Sequence, residues 1–316
     1  MKQYNVLSLF GGIECGRLAM ERAGIPVANY ASSEVDKHAV NVSGNMWPGI
    51  QHLGDVRGVR VKDLGFIPDI IFAGFPCQGF SFAGKGLNFE DPRSQLFFEF
   101  VRILEECREI NPGVLFLGEN VPMKKASQMV ISERLGVNPT RQRGALVSAQ
   151  NRDRLFWTNI KTKKVGLFGE VYSDIPQPAD KGIFLRDILE NEVSEKYFIS
   201  SSRHESMLKR IGKYTQLDGE KSMCFTTRTD AGWQGEMITL KTDTNGSNSF
   251  EQNNHVLKGA TVRRLTPVEV CRLFTLSDDY FYKRGKQVVS DSQIYRLCGN
   301  GWIVDQVAHI LTFIKK

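Results

Sequence analysis

A doubly wound, mostly parallel α/β sheet is the architecture that this sequence of 316 residues predicts. Three observations point to it. Short apolar runs at 4–9, 27–33, 68–76 and 113–119 alternate with stretches of helical period. Strands alternating with helices imply parallel βαβ units, covered on both faces. Glycine, cysteine or an acidic residue closes each apolar run, and in such sheets the functional loops lie at the carboxyl ends of the strands, near the topological switch point.

The elements follow in order. YNVLSL (4–9) reads as the first strand, and CGRLAMERAG (15–24) as a helix closing at Gly24. VANYASSEVD (27–36) is a strand ending at Glu34, with a helix from Lys37 to the WPGI turn. GDV (54–56) reads as the end of a short third strand, and PDIIFAGFPC (68–77) as the fourth. DPRSQLFFEFVRILEECREINP (91–112) is a long amphipathic helix that stops at Asn111-Pro112. GVLFLGENV (113–121) is the fifth strand, and GALVSAQNRDRLFWTNI (144–160) reads as strand, loop and strand. Beyond about residue 165 the texture changes, and KTDTNGSNSFEQNNHV (241–256) is polar and loop-rich. Helical patterning returns in TPVEVCRLFTL (266–276) and GWIVDQVAHILTFI (301–314).

Composition narrows the class. With 41% hydrophobic and 24% charged residues, the chain can build one large domain or two modest ones. A net charge of +6 suits a polyanionic partner. The apolar run at the start is too short for a secretion signal, and no stretch reads as a transmembrane helix. The expectation is a soluble protein in a reducing compartment. The six cysteines are scattered without a CxxC pair, and the histidines do not cluster with them, so neither a zinc site nor a disulfide framework is expected.

Gly11-Gly12, Glu34, Asp55, Cys77 and Glu119 all fall at expected strand ends, which suggests one crevice. The glycine turn lets a ligand approach the backbone and the free N–H groups of the next helix, or it is simply a tight turn. Glu34 is placed to accept from ribose hydroxyls or to serve as a surface carboxylate. Asp55 fits an adenine amine or an ordinary turn. A free thiol is only slightly ionised at neutral pH, and a strand-to-loop position near a helix start and cations helps it ionise. A soft nucleophile at Cys77 beside a partly desolvated carboxyl at Glu119 suits conjugate addition to a polarised ring.

GFPCQGFSFAGKG (74–86), GENV (118–121) and AQNRDR (149–154), in this order, resemble the signature blocks of cytosine-5 DNA methyltransferases. LFGGIECG (9–16) and SEVD (33–36) are similar to the cofactor blocks of that family. RRLTPVEVCRL (263–273) and CGNGW (298–302) are similar to its late blocks. The resemblance covers roughly residues 4–160 and 261–312. It implies that Cys77 adds to C6 of a flipped cytosine and that Glu119 contacts N3 and the exocyclic amine. Arg152 and Arg154 support the base and the catalytic loop, Arg154 nearer O2. For the implied cofactor, S-adenosylmethionine, Phe10 stacks on the adenine beside Gly11 and Gly12, Glu34 holds the ribose and Asp55 the adenine amine. Pro76 lines the pocket and Asn300 closes it. Gln78, Ser81, Lys85, Arg93 and Gln150 are expected to touch DNA, with 79–95 closing over it as a lid. Two departures stand out in the first block: Ser8 where the family has aspartate, and Glu14 where it has its second glycine.

The expected organisation is a catalytic and cofactor domain of 1–165 and 259–316, with a small inserted target-recognition domain at 166–258. Arg228, Gln234, Lys241, Asn245 and Asn248 there carry donors suited to base edges. The cationic stretch 122–165 is expected to face phosphates. The partner is double-stranded DNA, without membrane or metal. The expected setting is a monomer in the cytoplasm of a bacterial or phage-infected cell, within a restriction–modification system. A tRNA methyltransferase of the same family shares these blocks, and a catalytically silent DNA-binding regulator is the rival from another class. A nucleotide-binding dehydrogenase is disfavoured because GxGxxG is missing.

Overall fold

The computed structural model describes residues 2–76, 92–199, 211–229, 234–240 and 261–314. The first half supplies Tyr4–Leu9 (β1), Cys15–Arg22 (α1), Val27–Ser33 (β2), Lys37–Met46 (α2), Gln51–His52 (β3), Ile70–Ala73 (β4) and Pro92–Ile110 (α3). Leu115–Asn120 (β5), Lys125–Leu135 (α4), Thr140–Arg143 (β6) and Asp153–Thr158 (β7) complete the central sheet. Its order is β3-β2-β1-β4-β5-β7-β6. β3, β2, β1, β4 and β5 run parallel, whereas β7 is antiparallel to both β5 and β6. The order reverses between β1 and β4, which opens a crevice at their carboxyl ends.

Side chains alternate across the strands with period two, and each face has its own core. Val6, Ile70, Phe72 and Leu117 join one, where α1 packs against Val304–Leu311 (α7). Leu7, Leu9, Ile71, Ala73 and Phe116 join the other, under Phe97, Phe100, Ile103 and Leu104 of α3. Burial on both faces explains why these strands read as continuous apolar runs.

The last part of the chain returns to this body. Pro267–Leu273 (α5), Asp291–Asn300 (α6) and α7 all pack into the first core. Thr266 and Glu269 cap α5 reciprocally, with Pro267 at its first turn. Arg22 at the end of α1 pairs with Asp305, and Asp36 after β2 pairs with Arg296, so the late helices are joined to the first part of the chain.

The hairpin Thr162–Val165 (β8) and Glu170–Ser173 (β9) follows β7. Thr215–Leu217 (β10), Gly235–Leu240 (β11) and Thr261–Arg264 (β12) form a small sheet. Ile199, Met237 and Val262 make its cluster, while Ile175, Leu185, Ile188, Phe225 and Ile238 join the large core. Tyr282–Lys283 (β13) and Lys286–Gln287 (β14) form a short ribbon. Among the described residues no helix is long and apolar enough to cross a membrane.

Two elements differ from expectation. The third strand is Gln51–His52, and the GDV stretch instead enters a 3-10 turn at Val56–Gly58. The Asp55 carboxylate accepts from Arg57 N at 3.0 Å and caps that turn. GALVSAQ holds no strand either: Gly144 N donates to Arg152 O at 3.0 Å and Val147 N to Gly144 O at 3.1 Å, which folds the stretch back on itself.

Glu236 on β11 is buried, and its carboxylate accepts from Gly219 N at 2.9 Å and Met223 N at 3.2 Å. Burial pushes this carboxyl up to about 7. An unfolded glutamate ionises near pH ~4.3. Between those values the folded chain binds the proton more tightly, so this contribution is full in acid and is lost as pH rises through about 7. Thermal melts from pH 5 to 8 should show a fall in stability, with at most about 3 kcal/mol from this group. The fall should be flatter in Glu236→Gln; parallel curves for the two proteins would contradict this.

Candidate active site

The first turn is built from left-handed residues in close succession: Phe10, Gly12 and Glu14 have φ of 57°, 57° and 61°. Phenylalanine and glutamate pay about 1–2 kcal/mol for that geometry. Glu14 gains partners in return. Its buried carboxyl accepts from the Tyr30 hydroxyl at 2.6 Å and from the Ser32 hydroxyl, and Ser8 also bonds to it. Burial raises its proton affinity above the ordinary carboxyl range. The two departures from the family pattern, Ser8 and Glu14, therefore meet each other under the turn. A Cβ at Gly11 would lie 2.0 Å from Glu14 Oε1, so only glycine fits over this acid.

At the end of β2, Glu34 Oε2 accepts from Gly12 N at 2.8 Å, and Oε1 accepts from Val35 N and Asp36 N, both at 2.7 Å. A carboxylate has about four acceptor positions, which leaves one on Oε2. Asp55 is held by the Arg57 guanidinium, whose hydrogen bond pulls the carboxyl down to about 2. Exposed pairs of this kind contribute about 0–1 kcal/mol, so a ligand amine can displace Arg57 at small cost.

Glu119 sits at the end of β5 and is 8% exposed. It pairs in register with Phe156 of β7, and two residues away on that strand Arg154 Nε reaches Glu119 Oε1 at 2.9 Å. Trp302 Nε1 donates to Glu119 Oε2 at 2.9 Å. Next to it, Asn120 Nδ2 donates to Phe75 O at 3.1 Å and joins the ends of β5 and β4. Arg152 is buried, with Nη1 on Phe225 O at 2.7 Å and Nη2 on Gly301 O at 2.8 Å and Gly299 O at 3.1 Å. Burial, and secondarily the charge of Arg154, pulls its guanidinium down to about 10, still charged at neutral pH.

One cavity of about 470 Å³ joins these ends. Phe10, Gly11, Gly12, Glu34, Asp55 and Pro76 line one part of it, and Glu119, Arg152, Arg154 and Asn300 also contribute to its wall. Cys77, Gln78, Ser81 and Lys85 lie outside the described residues, as does the side chain of Arg93.

Gln150 requires correction. It is 0% exposed, its Nε2 donates to Leu273 O at 2.8 Å and its Oε1 accepts from Phe225 N at 3.3 Å, so its amide is spent inside the fold rather than on DNA. The cationic stretch 122–165 also does not form one face. β7 runs away from the Glu119 end, which carries Lys161, Lys163 and Lys164 to the opposite rim of the sheet. There Lys161 and Lys163 pair with Asp174 at 3.5 and 3.0 Å. In 166–258, Arg228 is exposed and Gln234 half-buried; Lys241, Asn245 and Asn248 lie outside the described residues.

Val35 and Trp302 are among the cavity residues that escaped the sequence reading. Val35 is 72% exposed beside Glu34. Its signal was an apolar side chain directly after an acidic strand end. Trp302 had a weaker signal, the tryptophan of CGNGW, with nothing local to say what it touches.

The model of the family described as C-5 cytosine-specific DNA methylase matches residues 4–129 and 146–316. Type II methyltransferase M.NgoBI of Neisseria gonorrhoeae is 31% identical, over 94% of this chain and 88% of its own length. Type II methyltransferase M1.ScrFI of Lactococcus lactis subsp. cremoris is 29% identical, over 96% of this chain and 76% of its own. Among solved structures, the Entamoeba histolytica methyltransferase EhMeth superposes with a TM-score of 0.76 at 20% identity, covering 99% of this chain and 98% of that one. The S. pombe Dnmt2 methyltransferase gives 0.71 at 21%, with the same coverage. These two share the fold.

Proposed function

The chain belongs to the C-5 cytosine-specific DNA methylase family, and from that premise we propose that it methylates C5 of cytosine in double-stranded DNA from S-adenosylmethionine. One observation carries the reading. Pro76, the residue before Cys77, lines the same cavity as Glu119 and the turn of Phe10 to Gly12, so the acid and the cofactor turn share one cavity with the strand end that leads into Cys77.

The residues present fit the cofactor. The turn at Gly11-Gly12 leaves the backbone open, Glu34 keeps one acceptor position for a ribose hydroxyl, and Asp55 can exchange Arg57 for an adenine amine. Phe10 and the exposed Val35 offer apolar surface for a purine ring. When bound, S-adenosylmethionine supplies an electrophilic methyl group.

The chain does the rest. Cys77 adds to C6 of a cytosine turned out of the duplex, at a cost of a few kcal/mol for unstacking. Glu119, taking up a proton from solvent as the base enters, gives a hydrogen bond to N3, which draws electron density from C6 and lets C5 act as the nucleophile. Arg154, paired to Glu119, orients that carboxyl. Arg152 acts from within the fold by holding the loop at Gly299 and Gly301. Loss of the C5 proton with elimination of the Cys77 thiolate restores the aromatic ring.

We assign target recognition to 166–258 and phosphate contacts to the segment from Gln78 to Arg93. The setting is a bacterial or phage-infected cytoplasm, acting as a monomer in restriction–modification, in keeping with relatives named as Type II methyltransferases. Expression in a host without cytosine methylation, followed by bisulfite sequencing of its genome, tests the reading. Methylation at one recurrent short motif supports it. A genome without methylcytosine, from soluble protein, overturns it.

A further inference from the structure

We propose that Trp302 is a positioning residue for Glu119, and that Arg152 and Arg154 act on the same carboxylate, Arg154 directly and Arg152 through the loop that carries Trp302. The proposal rests on Glu119 being the base-binding acid.

The geometry is specific. Arg154 Nε holds Oε1 at 2.9 Å and Trp302 Nε1 holds Oε2 at 2.9 Å. The terminal torsion of a glutamate is broad, so one donor leaves the carboxylate plane free to turn. Two donors on two oxygens fix that plane. An indole N–H can only donate, so it presents Oε2 as an acceptor and cannot trade roles. The contact spans 183 residues of sequence, so nothing local in the chain enforces it.

The indole is itself held. Its ring meets Phe72 edge-on, with centroids 6.3 Å apart at 84°. A Cβ on Gly74 would lie 3.1 Å from its Nε1, so glycine there leaves room for the ring. Next to Trp302, Gly301 O accepts from Arg152 Nη2 at 2.8 Å, which pins the loop. Arg152 gives its other amine, Nη1, to Phe225 O at 2.7 Å. Its role is therefore support of the Trp302 loop.

The test uses full-length protein and a duplex carrying the motif found by sequencing. Affinity is measured for cytosine at the target position and for an abasic site there, and the ratio reports the hold on the base. Trp302→Phe keeps the ring and deletes the N–H. The ratio should fall about tenfold, as for loss of one charge-assisted hydrogen bond, while cofactor affinity stays within about twofold. On a Glu119→Ala background the same change should alter the ratio by less than about twofold, because its only route is gone. Equal losses on both backgrounds, or an unchanged ratio, overturn the proposal.

A readout with Trp302 intact covers a variant that folds poorly. Hydrogen exchange of the four tryptophan indoles should accelerate at one of them in Glu119→Ala; no change at any overturns the contact. If Glu119→Ala leaves the wild-type ratio unchanged, the assignment of Glu119 fails, and indole exchange still reports on the hydrogen bond.

Discussion

Replacing Cys77 with serine abolishes methyl transfer, by at least about a thousandfold, while duplex binding survives. Removal of a covalent nucleophile commonly costs this much or more, because the remaining groups act on an intermediate that no longer forms. Serine keeps the size of cysteine and loses the polarisable, ionisable sulfur. A duplex with 5-fluorocytosine at the target separates the chemistry from binding. Fluorine at C5 cannot leave as a proton does, so the wild type should stay covalently attached in the presence of cofactor. The serine variant should show no attached species on a denaturing gel and near-normal retention of the duplex in a binding assay. Methylation by Cys77→Ser at the wild-type rate would remove the thiol from the mechanism.

Glu269→Ala should cost about 3–5 kcal/mol of stability, the range for a buried charge that loses its partner. Arg263 and Glu269 are 2% and 0% exposed and meet through two hydrogen bonds of 2.7 and 2.8 Å. The same carboxylate accepts from Thr266 N at 2.8 Å and Glu190 N at 2.9 Å. Alanine takes the carboxylate away from a buried guanidinium and from two backbone donors, in the joint between β12, α5 and the segment at Glu190. For a chain of this size the melting temperature should fall by the order of 10 °C. Arg263→Met combined with Glu269→Leu should recover part of the loss, because the unpaired charge is gone while Thr266 N and Glu190 N still lack the carboxylate. Melts followed by circular dichroism decide; a shift under about 2 °C for Glu269→Ala would show that the pair is dispensable.

The sheet was legible where burial on both faces writes an apolar run, as at β1, β4 and β5. It was not legible at β3, two exposed residues with no apolar signal. Nor was α4, where KASQMVISERL buries Ser127 and Ser132 beside Ile131 and Leu135 and so lacks an apolar stripe. The site was readable for a related reason. Where an apolar run stops, a strand ends, and the polar residue there enters the crevice: Glu34 and Glu119 were placed by that rule. Gln150 shows the limit, since the spacing of AQNRDR does not tell which side chains turn inward. Trp302 shows another, because a contact made across most of the chain leaves no trace near either residue.

The ion pair of Arg22 with Asp305 and the packing of α1 on α7 also bear on synthesis. The partners are 283 residues apart. At about 5–20 residues per second, a ribosome needs roughly 15–60 s to deliver the second after the first. Throughout that interval the inner face of α1 is apolar surface without its cover, a client for chaperones. Premature termination in the recognition segment therefore leaves all seven strands of the central sheet made but α1 without α7 over it, a product prone to aggregation.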